Sequence, residues 1–274
     1  MQGAGNDFVV LDGRAPGFPA QAFRAEAARA IAARHTGVGC DQVILIEAAP
    51  HATARMRIRN ADGGEVAACG NAARCVALLL MDEQGLARVT LATQAGLLEA
   101  TREGERISVD MGVAQTDWQA IPLREAADTL HLGLRHGALQ DGAAVSMGNP
   151  HAVFFVEDVD AVPLGDLGPV LERDPLFPER ANIGVAQVLS ENRLRLRVWE
   201  RGAGLTSACG SGACAAVVAA NRRGLLQSPA EVVQDGGSLD VCLREDGHVL
   251  LSGPAVRSFT GEIPFALFDA EAGA

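Results

Sequence analysis

The chain contains no lysine: all 23 of its basic residues are arginine. Chemistry that needs a lysine Schiff base, including stabilisation of an amino-acid carbanion by PLP, is therefore excluded. Tyrosine is absent too, and aromatic residues make up 4% of the chain. The six cysteines form no CxxC and no paired CxxC…CxxC pattern, so a structural zinc site is not expected and reduced thiols are. There is no excess of positive charge either. The formal net charge is −11, which argues against a nucleic-acid surface and leaves a small polar ligand compatible. The opening "MQGAGNDFVV" has no basic segment followed by an apolar stretch, so no secretory signal is read there. The longest run of large apolar residues, Val76 to Met81, falls far short of the roughly 20 residues that span a bilayer. These absences predict a cytoplasmic protein that makes no use of a membrane, nucleic acid or metal.

The 274 residues, 48% of them hydrophobic and 21% charged, suffice for two globular domains. A repeat supports that division. "ACGNAARC" (Ala68 to Cys75) and "ACGSGACA" (Ala208 to Ala215) place Cys69 and Cys209 at an offset of 140 residues. Upstream, "RMRIRNADGGEVAACG" lies against "RLRLRVWERGAGLTSACG". Met56 and Ile58 in one, and Leu194, Leu196 and Val198 in the other, alternate with polar residues as in a half-buried strand. The same offset sets Asn60 against Glu200, Asn71 against Ser211 and Gln42 against Asn182. Two copies make a duplicated domain, since a solenoid needs many short units.

After each cysteine the pattern turns helical and apolar all round, as in a helix buried on every side, until Gly85 and Gly224 at the expected C-terminal caps. Segments 92–112 and 237–253 read as hairpins. Each half is thus expected to curl a β-sheet around one central helix that begins at a cysteine. The first N–H groups of a helix lack partners and carry partial positive charge, so Gly70 and Asn71, and Gly210, Ser211 and Gly212, predict two cradles for a carboxylate. A thiol at such a place is expected to shift toward thiolate. Two thiols on opposite faces of one α-carbon would form a racemase, one removing a proton and the other delivering one. Without a PLP lysine, the carbanion would be stabilised electrostatically.

At these residues the chain resembles the diaminopimelate epimerase family. Six blocks carry the resemblance in order: "GAGNDFVVLDGR", "GVGCDQ", "NADGGEVAACGNAARC", "VSMGNPHAV", "PERANIGVAQV" and "ERGAGLTSACGSGACAAV". It implies an α+β fold of two pseudo-symmetric domains, each a curled antiparallel β-sheet or barrel around a central helix. The halves would be 1–110, with 254–274 returning to it, and 111–253. It further implies cofactor-independent epimerisation of LL- to meso-2,6-diaminopimelate in lysine and peptidoglycan precursor synthesis. Cys69 and Cys209 would be the acid/base pair. Asn6, Gln42, Asn60, Gly70, Asn71, Asn149, Asn182, Glu200, Arg201, Gly210 and Ser211 would bind substrate, and His151 and Glu200 would tune the thiols. A homodimer is implied as well, with Phe259 standing where relatives often have tyrosine. Relatives carry a few further residues before the first block, so a clipped N-terminus or a misassigned start codon is expected, and Ala72 replaces a usual glycine.

Each site residue also has an ordinary reading. Free cysteine is most often a small buried hydrophobe, which suits Cys40, Cys75, Cys214 and Cys242 but fits Cys69 and Cys209 poorly. Asn60, Asn149 and Asn182 are common turn residues, and His151 alone reads as structural. Arg201 and Glu200 would ordinarily be surface. In a site, a guanidinium can grip a distal carboxylate and a carboxylate can hold an ammonium, which suits a substrate with an amino-acid group at each end. Two other classes remain open at this point: a proline racemase or phenazine-pathway isomerase on the same duplicated fold, and a noncatalytic amino-acid binder or thiol sensor.

Overall fold

In the computed structural model, which describes residues 1–15, 18 and 20–268, the chain separates into two units. One is Met1–Val109 with Gly253–Ala274, and the other is Asp110–Ser252. Residues 269–274, the end of the segment expected to return to the first half, lie outside the described residues.

The first unit contains β1 (Gln2–Gly3), β2 (Asn6–Asp12), α1 (Ala25–Ala32), β3 (Gln42–Glu47), β4 (Ala54–Asn60), β5 (Glu65–Val66), α2 (Gly70–Gln84), β6 (Arg88–Thr93), β7 (Gly96–Glu103) and the first half of β8 (Arg106–Val113). Its strands run in the order β1-β2-β3-β4-β6-β7-β8, with β5 on β4. Gln2 exchanges backbone hydrogen bonds of 2.8 and 2.9 Å with Val256.

The second unit contains β9 (Arg135–His136), β10 (Leu139–Gln140), β11 (Ala143–Ser146), β12 (Pro150–Phe155), α3 (Leu164–Glu172), β13 (Asn182–Ser190), β14 (Arg193–Glu200), β15 (Gly204–Thr206), α4 (Gly210–Arg222), β16 (Ala230–Gln234), β17 (Gly237–Leu243) and most of β18 (His248–Gly253). Its order is β18-β17-β16-β14-β13-β12-β11, with β15 on β14 and β9 paired to β10. From β2 to β8 and from β12 to β18 the two units write the same succession of elements.

In both units the large sheet mixes parallel with antiparallel pairs, where a curled antiparallel sheet or barrel was expected. β2 runs parallel to β3, with Phe8 opposite Gln42, and β4 to β6, with Arg55 opposite Ala92. In the second unit β12 is parallel to β13, with His151 opposite Asn182, and β14 to β16, with Leu194 opposite Val232. Parallel neighbours require a long crossover, normally a helix, and each of these four crossovers contains one: α1, α2, α3 and α4 in turn.

The outer helices explain the strands that do not alternate. Val43, Ile44, Leu45 and Ile46 of β3 are all buried, because Val43 and Leu45 pack with Ala27, Ala28 and Ile31 of α1 while successive side chains point to the opposite face. β4 covers one face only: Ala54, Met56 and Ile58 are buried, and Arg55, Arg57 and Arg59 alternate with them. Arg57 and Arg59 lie over the Phe23 ring at 5.2 and 5.6 Å. β14 repeats the pattern with Leu194, Leu196 and Val198 inward.

α2 packs against β1, β2, β6 and β7, and α4 against β11, β12, β13, β14, β16 and β17. Strands approach so closely because the helices are built of small residues: Ala72, Ala73 and Ala77 in α2, and Ala213, Ala215, Ala216, Ala219 and Ala220 in α4, are fully buried. α2 ends at Gly85, whose φ of +67° is the left-handed turn that a Cβ disfavours.

Candidate active site

The sheet-to-helix turns set the two cysteines in the same backbone conformation. Cys69 is the N-cap of α2 with φ −144° and ψ 115°, and Cys209 is the N-cap of α4 with φ −131° and ψ 113°. The carbonyl of each accepts a 2.9 Å hydrogen bond four residues on, from Ala73 and Ala213. Their surroundings then diverge. Cys69 is half-buried, whereas Cys209 is 4% exposed.

In the second unit the Cys209 thiol accepts from the Gly212 N–H at 3.4 Å and lies 3.6 Å from Ser211 Oγ. Ser211 Oγ is 3.1 Å from His151 Nε2, and Asn149 Nδ2 donates to the same hydroxyl at 3.4 Å. His151 Nε2 also meets Asn149 Oδ1 at 3.1 Å and Asn182 Nδ2 at 3.4 Å. Asn182 uses its Oδ1 to hold the Arg201 backbone N–H at 2.9 Å, and Arg201 Nη1 donates to the Glu179 carbonyl at 2.8 Å. Cys209, Ser211, His151, Asn149, Asn182 and Arg201 thus form one connected group. Glu200 joins it beside Cys209, with Thr206 Oγ1 donating to its Oε1 at 2.5 Å.

The electrostatics correct one expectation. Burial, and secondarily the Glu200 charge, hold the Cys209 thiol well above its ordinary value; Ser211 and the Gly212 N–H pull the other way and lose. A thiol at a helix start was expected to shift toward thiolate, but removal from water outweighs one turn of helix dipole here. Glu200 is likewise raised by burial, and His151 is driven down to about 3 by burial with the Arg201 charge added. At neutral pH, then, His151 is uncharged and Cys209 holds its proton.

In the first unit the candidates form two hydrogen-bonded pairs. Asn71 Nδ2 donates to Asn6 Oδ1 at 2.5 Å, and Gln42 Nε2 donates to Asn60 Oδ1 at 2.9 Å. Gln42 and Asn60 face each other across β3 and β4. Gln42 Oε1 is buried with no hydrogen-bond partner, an acceptor left for a donor to fill. Gly70 and Gly210 open the two helices.

Four contributors escaped the sequence reading. Gln234, at the end of β16, accepts the Cys209 backbone N–H through Oε1 at 2.8 Å. The 140-residue offset sets Gln94 against it, the one signal that pointed there. Thr206 clamps Glu200. Asp41 Oδ2 accepts from Asn6 Nδ2 at 3.2 Å, and Arg74 Nη2 donates to Asn71 Oδ1 at 2.8 Å. Among the described residues no group of three or more His, Cys, Asp or Glu is gathered as metal ligands.

Solved structures share the architecture. A probable proline racemase from Agrobacterium radiobacter K84 matches with a TM-score of 0.66 at 18% identity, covering 97% of this chain and 94% of that one. A phenazine biosynthesis protein from Bacillus anthracis matches with a TM-score of 0.65 at 16% identity, covering 93% and 92%. At such identities the likeness is one of fold, and it defines the class: a two-unit α+β chain, here with a cysteine opening each central helix. The sequence narrows the class further. The pattern of the diaminopimelate epimerase family matches residues 1–116 and 143–258. The diaminopimelate epimerase of Acidiphilium cryptum is 58% identical over 268 residues, 97% of this chain and 96% of the relative. That of Rhodospirillum centenum is 56% identical over 266 residues, 96% of this chain and 90% of the relative. This chain belongs to the diaminopimelate epimerase family.

Proposed function

We propose that the chain interconverts LL- and meso-2,6-diaminopimelate, in lysine and peptidoglycan precursor synthesis, with Cys69 and Cys209 as its two acid/base groups. The observation that carries this reading is the recurrence of equivalent N-cap cysteines in unequal environments: one is half-buried, and the other is enclosed, where burial pushes its thiol up. A two-base reaction needs one thiolate and one thiol at a time.

In one direction the Cys69 thiolate takes the α-proton, and the C–H electron pair stays on the carbon, delocalised into the adjacent carboxylate. The Cys209 S–H then delivers its proton to the opposite face. This leaves Cys69 as thiol and Cys209 as thiolate, and exchange of protons with water resets the pair. The reverse reaction exchanges the roles. The N–H groups of Gly70, Asn71, Gly210 and Ser211 bind the reacting carboxylate as it gains charge. The amides of Asn6, Gln42, Asn60, Asn149 and Asn182 bind the remaining polar groups; the orphaned Gln42 Oε1 suits an ammonium N–H. Glu200 holds an ammonium beside Cys209, Arg201 grips the distal carboxylate, and neutral His151 fixes the Ser211 hydroxyl against the Cys209 sulfur.

The same proposal includes a cytoplasmic homodimer that uses neither PLP nor metal. Phe259, a large apolar side chain left 69% exposed, supports an apolar contact between copies. No described helix is long and apolar enough to cross a membrane.

Incubation of the purified chain with LL-diaminopimelate, followed by chiral chromatography, tests the reading. Meso product is expected to accumulate after dialysis against chelator and hydroxylamine. Absence of meso product from the untreated chain, or activity that returns only with added PLP or metal, overturns it.

A further inference from the structure

A side-chain amide presents a carbonyl oxygen in one orientation and an NH2 group in the other, and only its neighbours decide which. Asn6 and Asn71 lie in a chain of hydrogen bonds whose two ends are unambiguous. At one end is Arg74, whose guanidinium can only donate; at the other is the Asp41 carboxylate, which can only accept. Arg74 Nη2 donates to Asn71 Oδ1 at 2.8 Å, Asn71 Nδ2 to Asn6 Oδ1 at 2.5 Å, and Asn6 Nδ2 to Asp41 Oδ2 at 3.2 Å. Reversing both amides would turn N–H groups against the guanidinium and an oxygen against the carboxylate. Reversing one would oppose like groups between the two asparagines as well.

Arg74 is also fully enclosed, and further held by the carbonyls of Pro254 at 3.3 Å and Gly70 at 3.5 Å. Burial of a guanidinium is costly, and the fold of the helix does not require it. At the equivalent place in α4, five residues after the cysteine, stands Cys214, also fully buried. A small apolar side chain therefore serves packing at that position.

We infer that Arg74 is a positioning residue: it fixes the orientation of Asn71 and, through it, of Asn6, so that the cradle at the start of α2 offers every substrate molecule the same hydrogens and lone pairs. Asp41 fixes the far end. This inference rests on the reading of Asn6 and Asn71 as substrate-binding residues.

Two substitutions separate orientation from packing. Arg74→Met keeps a long apolar stem and removes the donors, while Arg74→Lys keeps a group that only donates. The Met variant is expected to raise KM for LL-diaminopimelate on the order of ten-fold while kcat changes less than about three-fold. The Lys variant recovers most of that loss. Asp41→Asn, which removes the obligate acceptor, also raises KM, and its effect combined with Arg74→Met is less than the product of the two. An unchanged KM in Arg74→Met, or a Lys variant as impaired as the Met variant at the same thermal midpoint, overturns the inference. Should Arg74→Met fail to fold, an unchanged KM in Asp41→Asn does so instead.

A readout independent of turnover distinguishes this inference from the functional reading. The side-chain amide protons of Asn6 and Asn71, assigned in 15N spectra by their loss in Asn6→Ala and Asn71→Ala, should exchange slowly in the wild type and in Arg74→Lys. They should exchange fast in Arg74→Met, or in Asp41→Asn if the Met variant does not fold. A wild type that shows this protection but no epimerisation sinks the functional reading alone; fast exchange in the wild type sinks the relay.

Discussion

Gln234 Oε1 accepts the backbone N–H of Cys209 at 2.8 Å, tying the first residue of the α4 turn to the end of strand β16. The other end of that amide, Nε2, is buried without a partner, so half of its polarity is unsatisfied. Gln234→Leu would leave the Cys209 N–H enclosed and unpaired, which costs about 1–3 kcal/mol. A thermal midpoint lower by several degrees and faster labelling of Cys209 by a small alkylating agent are expected together. A lower midpoint with unchanged labelling would show that Gln234 supports the core without holding the cysteine.

His151 makes stability depend on pH. Its folded-state value is depressed to about 3, mainly by burial, against an ordinary value near 6.5. Below about pH 6.5 the unfolded chain takes up a proton that the folded chain refuses, so the contribution is present above that pH and is lost as pH falls toward 3. Between pH 7 and pH 5 the loss amounts to about 2 kcal/mol. Urea unfolding of the wild type and of His151→Asn at both pH values measures it; the variant should lose less stability on acidification. An equal loss in both proteins would place the pH dependence elsewhere.

A glycine in α3 keeps Trp199 in place. A Cβ built on Gly168 would come within 2.5 Å of Trp199 Cγ, while one on Gly165, a turn away, meets nothing within 4 Å. Trp199 donates from Nε1 to Glu172 Oε2 at 2.7 Å and directly precedes Glu200 in β14. Gly168→Ala is therefore expected to destabilise by about 1–3 kcal/mol through overpacking and to lower activity by shifting Glu200. Gly165→Ala should be neutral or slightly stabilising. Equal midpoints for the two variants would mean that Trp199 moves aside freely.

What could be read from the sequence was whatever wrote itself as a period or a duplicate. Met56 and Ile58, and Leu194, Leu196 and Val198, alternate because β4 and β14 each have one apolar face, and the cysteine-led helices appear twice. The parallel pairings were hidden for a physical reason. β3 is covered by α1 on one face, so Val43 to Ile46 form an unbroken apolar run that carries no period of two. Arg74 was hidden because a charge on a helix ordinarily marks the solvent face, and here the guanidinium is wholly enclosed. The Cys209 thiol was misjudged because sequence displays the helix start but not the depth of burial that reverses its effect.

The unequal settings of Cys69 and Cys209 bear on the proposed division of labour. In heavy water, early product is expected to carry deuterium at the α-carbon while unreacted substrate stays largely protiated, since different sulfurs serve the two faces. Cys69→Ala and Cys209→Ala should each abolish epimerisation, because either leaves half of an acid/base pair. Each variant retains one thiol of the pair, so each can still wash the α-proton out of the stereoisomer that presents its proton to that sulfur. The two should therefore prefer opposite stereoisomers in exchange. The rates should also differ: with Cys69 removed, exchange must rely on Cys209, which burial and Glu200 hold as thiol, so Cys69→Ala is expected to be the slower. Replacing Glu200 by Gln in the Cys69→Ala background removes the negative neighbour and should raise the thiolate fraction of Cys209, measured as faster alkylation at mildly alkaline pH. If both single variants exchanged the same stereoisomer, or one epimerised at near wild-type rate, the assignment of two bases to these residues could not stand.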